Sequence, residues 1–164
     1  MKRTGILNQQ LSEAIAAMGH GQIMMIVDAG FPIPRDAWRV DLAIGANLPT
    51  LAQLYELIAP ELIVEKVMFA KEVQDHNIPL YRSLCNWFDE RDFSPVTYEE
   101  TVGELAKKAK VIVRSGALDP WGNIALVSGV DYPSYFVDPE VNVTDNFRKL
   151  MDRPKFIPGI GLQQ

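Results

Sequence analysis

Three observations predict an α/β fold, with helices on both faces of a largely parallel sheet in a three-layer α/β/α arrangement. Helical and strand patterns alternate between residues 8 and 130, as in chains that wind helices around a parallel sheet. The strand candidates are short, unbroken apolar runs, the signature of strands covered on both faces. Gly and Pro residues punctuate the junctions between patterns.

Leu7, Leu11, Ile15 and Met18 recur at helical spacing, giving a first helix from about Asn8 to Met18, and Gly19 is placed to turn left-handed at its end. Ile23 to Val27 reads as a buried strand, and Pro32 and Pro34 force an extended loop after it. Val40, Leu42 and Ile44 alternate with Asp41 and Ala43 as a short strand. Pro49 and Thr50 open a helix carrying Leu51, Leu54, Tyr55 and Ile58, which Pro60 stops. Leu62 to Ala70 is strand-like, interrupted only by Glu65 and Lys66. A helix begins near Pro79, with Leu80, Leu84, Trp87 and Phe88 inward. Thr97 and Glu100 have the spacing of a capping box, ahead of Val102, Leu105, Ala106 and Ala109. Val111 to Val113 and Ile124 to Val127 complete the sheet. From residue 131 periodicity disappears into an aromatic and proline-rich tail. It holds a weak helix, Asn146 to Met151, before Pro154 and Pro158. The expected organisation is one domain over 1–130, plus an extension over 131–164 packed on the domain or on a neighbouring subunit.

A chain of 164 residues buries a continuous core without disulfides or metals. Its formal charge of −5 gives no attraction for phosphate backbones, so nucleic acid is not an expected partner. Lys107, Lys108 and Lys110 read as a solvated helix end. The single Cys85 has no internal disulfide partner and reads as a buried thiol. The N-terminal region is too polar for a signal peptide, and no run approaches the roughly 20 apolar residues that span a bilayer. A cytoplasmic location without membrane partners is expected.

Chemistry concentrates in three places. His20 follows a helix end, where the dipole favours a protonated ring; it can exchange a proton with a ligand or simply cap free carbonyls. Asp28 stands just past the carboxyl end of a strand, where ligands of parallel sheets bind. It can accept hydrogen bonds from a polyol or cap the Ala29-Gly30 turn. A simple traverse puts His20 and Asp28 at opposite ends of one strand, so a shared site requires a second subunit or a folded-back loop. Arg114 is at another strand end, and Pro120-Trp121-Gly122-Asn123 offers a flat indole and a carboxamide, suited to a sugar or to an ordinary turn. No dinucleotide fingerprint, Walker-type loop or zinc-type His/Cys spacing occurs. Neither a cofactor nor a metal is expected. Ser115 lacks a histidine base, and Asp75-His76-Asn77 reads as a solvated turn.

In order and spacing the chain resembles the ribose pyranase and fucose mutarotase family. The resemblance runs over residues 4–130. It rests on Gly5-Ile6-Leu7-Asn8, Met18-Gly19-His20, Asp28-Ala29-Gly30-Phe31-Pro32-Ile33-Pro34 and Arg39-Val40-Asp41-Leu42-Ala43. It continues through Asp75-His76-Asn77, Val113-Arg114-Ser115-Gly116, Gly122-Asn123-Ile124 and Gly129-Val130. It implies an isomerase that interconverts ring forms or anomers of a free monosaccharide such as ribose or fucose, with no cofactor. His20 is then the general acid/base, Asp28 a ligand of sugar hydroxyls, and Trp121 and Asn123 line the sugar site; Arg114, from its place at a strand end, and Tyr98, which could donate to a sugar hydroxyl, are further candidate contacts. The implied assembly is a homo-oligomer, a decamer or other ring, with sites at subunit boundaries. Trp121 stands where the family has Tyr, and Tyr98 or Glu99 where the ribose branch has a second His. A non-enzymatic monosaccharide-binding or regulatory module on the same scaffold is the competing class.

Overall fold

Asn8 accepts the Leu11 N–H at 2.9 Å and so caps helix α1, Gln9–Ala16. The computed structural model describes residues 2–152 and 155–162, so Pro154 lies outside the described residues. Gly19 does not take the left-handed turn expected of it; Gly21 does, at φ +76°. The reason is local: the helix ends at Ala16, and Lys110 Nζ donates to the Ala17 carbonyl. The left-handed residue is needed only later, where the chain swings into strand β1, Ile23–Val27.

Strand β2 is Trp38–Asp41 rather than Val40 to Ile44. Beyond it the chain peels away, and Ile44 donates its N–H to Leu48 in a tight turn with its side chain 81% exposed. Helix α2, Leu51–Ile58, opens on a capping box between Thr50 and Gln53. Strand β3, Val64–Ala70, leads into helices α3, Glu72–His76, and α4, Ile78–Trp87. Asn77 sits between those helices and caps α4 by accepting the Leu80 N–H. Strand β4, Phe93–Val96, is additional to the sequence expectation, and it lies at the sheet's edge, where its Pro95 breaks no ladder.

The Thr97–Glu100 capping box forms as expected and starts a helix over 98–108. It comprises α5 (Tyr98–Glu100), a π-helical turn (Thr101–Leu105) and α6 (Ala106–Lys108). Strands β5, Val111–Arg114, and β6, Ile124–Ser128, follow. The extension forms α7 (Tyr132–Tyr135), α8 (Asp145–Met151) and a small hairpin of β7 (Phe156–Ile157) and β8 (Gly161–Leu162).

The sheet order is β2-β5-β1-β6-β3-β4. Pairs β1/β5, β2/β5 and β3/β4 are parallel, while β6 is antiparallel to both β1 and β3. Five strands therefore run one way and β6 alone runs against them. Side chains alternate between two apolar clusters, one per face. Met24, Ile26, Val111, Val113, Ile124 and Leu126 meet Leu11, Leu54 and Leu84 from α1, α2 and α4. Met25, Val27, Ile112 and Ala125 meet Phe31, Leu105 and Ala106 on the other face. Each Val, Leu, Ile, Phe or Met among them, fully buried, contributes about 1.5–3 kcal/mol. The sheet thereby acquires two rims that can carry chemistry, one at the carboxyl ends of the five co-directional strands and one at their amino ends.

Candidate functional site

At the carboxyl-end rim, Asp28 leaves β1 and Asn123 enters β6 beside it. The Asp28 N–H donates to Asn123 Oδ1 at 3.1 Å, and Asn123 Nδ2 donates to Asp28 Oδ2 at 2.8 Å. The Gly30 N–H donates to the other carboxylate oxygen at 2.7 Å. Asn123 is only 3% exposed, so this pair is fixed before any ligand arrives. Each Asp28 oxygen keeps acceptor capacity for a hydroxyl.

The loop ahead of Asn123 is held by strain and by close approach. Gly122 donates to the Asp119 carbonyl, closing a turn with Pro120 second and Trp121 third. Trp121 has φ +57°, the left-handed third-residue conformation of a type II turn, which a bulky side chain rarely adopts. The Asn77 carboxamide anchors the loop from below by donating to the Pro120 carbonyl at 2.9 Å. Asp75 and His76 are exposed as expected but end helix α3 rather than forming a turn, Asn77 is buried, and the His76 ring centroid is 5.9 Å from that of Trp121. Arg114 donates through Nε to the Ala29 carbonyl at 2.9 Å and through Nη1 to both Asp41 oxygens. It is thereby braced between β5, β2 and the loop after Asp28. Burial acts to raise the Asp41 carboxyl, but hydrogen bonds from Arg39, the Ala43 N–H and Arg114 prevail and hold it below its ordinary range. Asp119 is pushed up, first by burial and then by the charge on Asp28. Ser115 is structural: its hydroxyl donates to the Val27 carbonyl at 2.7 Å.

Gly116 makes the rim possible. A Cβ there would lie 2.2 Å from the Gly45 carbonyl oxygen and 2.4 Å from that of Leu48. Only glycine lets the loop after β5 pass under the 45–49 segment. Tyr98 belongs to the same rim but follows edge strand β4, three strand spacings or about 14 Å across the sheet from β1.

His20 belongs to the opposite rim. The turn presenting it is tied by Gly19 N–H to Gln22 Oε1 at 2.8 Å and by Gly21 N–H to the Ser128 carbonyl at 2.7 Å. The length of β1 separates it from Asp28 by about 20 Å, so one chain does not bring these two residues together. His20 has other company: Nε2 lies 2.9 Å from Glu65 Oε2, and the Tyr132 hydroxyl is 3.3 Å from that same oxygen. Burial first, then the Glu65 charge and hydrogen bond, push the Tyr132 phenol up, so it remains a donor at neutral pH. Sequence reading passed over Glu65 and Tyr132. The signal for Glu65 was an acid, next to Lys66, interrupting an apolar strand run; for Tyr132, in an aperiodic tail, there was none. Among the described residues no group of three or more His, Cys, Asp or Glu is placed to hold a metal, and no helix is long and apolar enough to cross a membrane.

Residues 1–131 match the model of the RbsD / FucU transport protein family. The chain is 48% identical over 147 residues to D-ribose pyranase 1 of Streptomyces griseus subsp. griseus, covering 90% of this chain and 97% of that one. It is 49% identical over 148 residues to D-ribose pyranase 2 of Rubrobacter xylanophilus, covering 90% and 96%. Matches of that length run past residue 131, so these relatives share part of the extension. The structure of Bacillus subtilis RbsD complexed with D-ribose is 35% identical, with a TM-score of 0.74, over 79% of this chain and 98% of that one.

Proposed function

Because the chain belongs to the RbsD / FucU transport protein family, we propose that it is an isomerase interconverting ring forms of a free monosaccharide, with D-ribose the first candidate. The observation that carries this reading is the identity of nearly half the residues, over nine-tenths of the chain, to two D-ribose pyranases. The rim geometry agrees with it: a carboxylate held by two hydrogen bonds, one of them from a buried carboxamide, suits a small polyol.

Ring opening removes the proton from the anomeric hydroxyl as C1=O forms. The C1–O bond to the ring oxygen breaks, and that oxygen gains a proton. The net change is one proton moved between two oxygens of the sugar, and closure through another hydroxyl reverses it. His20 carries that proton, a role contributing about 10² to 10⁴-fold. Asp28 and Asn123 hold hydroxyls, and Trp121 covers the C–H face of the ring. Arg114 stiffens the loop after Asp28.

The gap of about 20 Å between His20 and Asp28 is bridged by a second copy, the His20 rim of one subunit meeting the Asp28 rim of the next. The assembly is a homo-oligomer, a decamer or another closed ring, acting on free sugar in the cytoplasm. The test is complementation. His20→Ala and Asp28→Ala proteins should each lose ribose ring interconversion, followed by saturation-transfer NMR. Reassembled together, they should regain about a quarter of the wild-type rate, the share of boundaries pairing two intact halves at random. A mixture as inactive as its parents would break the two-subunit site. An active His20→Ala protein would break the proton assignment.

A further inference from the structure

The extension reaches back to the rim where His20 stands and delivers a hydroxyl there. Tyr132 is the first residue past the span matched by the family model. Its oxygen is 3.3 Å from Glu65 Oε2 and 3.5 Å from His20 Nε2, and its ring meets the imidazole edge-on with centroids 6.1 Å apart. Phe147 of α8 packs on Tyr132 with centroids 5.2 Å apart, and Pro133 opens the short helix that carries it. Farther along, the Gly159 N–H donates to the Asn86 carbonyl at 2.8 Å, pinning the hairpin to the end of α4. A cavity of about 680 Å³ runs between extension and domain, lined by Leu62, Trp87, Tyr132, Leu150 and Phe156 among others. The extension is thus a brace, and Tyr132 is the point at which it touches chemistry.

We propose that Tyr132 and Glu65 are positioning residues that fix the tautomer and orientation of His20, leaving Nδ1 as the nitrogen that exchanges the proton with the sugar. This rests on the reading of His20 as the acid/base. A carboxylate only accepts hydrogen bonds, so the nitrogen 2.9 Å from Glu65 must carry hydrogen. In a neutral imidazole with hydrogen on Nε2, Nδ1 holds the lone pair. The Tyr132 hydroxyl donates to the same Glu65 oxygen, holding the carboxylate against the imidazole rather than free to swing into solvent. His20 remains 47% exposed along its side chain, so part of the residue is open to a ligand. A shuttle must return to the same nitrogen at each half-reaction, and a ring free to flip would divide its proton between two positions.

The experiment uses the full chain with 15N-labelled histidine. His20 and His76 are the only histidines, and the His20→Ala spectrum assigns their signals. In the wild type His20 should show a single tautomer protonated at Nε2. Tyr132→Phe keeps the ring and removes the hydroxyl. It should lower kcat for ribose interconversion about three- to tenfold with KM unchanged, and move the imidazole 15N signals toward a tautomer mixture. Glu65→Gln should do the same more strongly, about tenfold or more, and serves if Tyr132→Phe folds poorly. Wild-type kcat and 15N pattern in both variants would overturn the positioning role, as would a raised KM with kcat unchanged. A His20→Ala protein with full activity would instead overturn the reading beneath it.

Discussion

The two rims of the sheet hold their polar groups in different ways. At the carboxyl-end rim, Asn123 is buried, Asp28 is bonded on three sides, and Arg114 is braced between two strands and a loop. At the opposite rim His20 and Glu65 are both partly in water, joined by one hydrogen bond and steadied by a tyrosine from the extension. The first arrangement suits a group that must hold a ligand in one pose, because its ordering entropy is met during folding. The second suits a group that must change its proton repeatedly, because solvent access keeps both protonation states affordable. The binding and proton-transfer roles proposed above would therefore fall on rims of different mechanical character.

That contrast predicts that the carboxyl-end rim is bound up with stability and the other is not. The largest effect should come from Gly116→Ala. Its methyl group would sit on two carbonyl oxygens, and the 45–49 segment must move to admit it. A loss of about 3 kcal/mol or more is expected in urea denaturation. A near-wild-type midpoint would mean that the rim is far softer than its contacts suggest.

Next in size is a paired comparison. Asn123→Ala removes both bonds to Asp28 and leaves a half-buried carboxylate edge without its carboxamide partner, which should cost about 2 kcal/mol. His20→Ala at the exposed rim should cost less than about 0.5 kcal/mol, although it abolishes the proposed activity. Equal losses in the two proteins would erase the distinction between the rims.

The smallest effect is pH-dependent. Folding raises the Asp119 carboxyl above its unfolded value of about 3.9. Its contribution to stability is complete below that pH and is lost as pH rises through the folded value. Asp119→Asn does not titrate, so its stability relative to wild type should improve between pH 3.5 and pH 7. The gain should be about 0.5 kcal/mol, because solvent screens a half-buried carboxyl. Thermal denaturation at the two pH values measures it, and an unchanged difference would mean that neither burial nor the Asp28 charge raises the Asp119 carboxyl.

Much of the fold was legible locally. The cores of β1, β3, β5 and β6 announce themselves as apolar runs because both faces of each are covered. The Thr97–Glu100 capping box works through side chains three residues apart, a relation sequence displays directly. Strand β4 was hidden because Ser94 and Pro95 read as loop, and only its edge position tolerates them. Strand direction was hidden too. The links 28–37 and 115–123 are of similar length and neither forms a helix, yet one delivers a parallel strand and the other an antiparallel one. Of the candidate site, Asp28 and Asn123 were visible as polar residues at strand ends. Glu65 and Tyr132 were not, because their role comes from what folding sets beside them.

By itself the sequence determined which segments would be buried, where helices would start, and that His20 and Asp28 would lie at opposite ends of one strand. Those are consequences of periodicity, capping and residue type, which act over a few residues. Only the tertiary structure decided the order of the strands, the strained turn at Trp121, and the landing of Tyr132 on the Glu65–His20 pair. These depend on contacts between residues far apart in the chain, and no local pattern encodes which distant partner closes them.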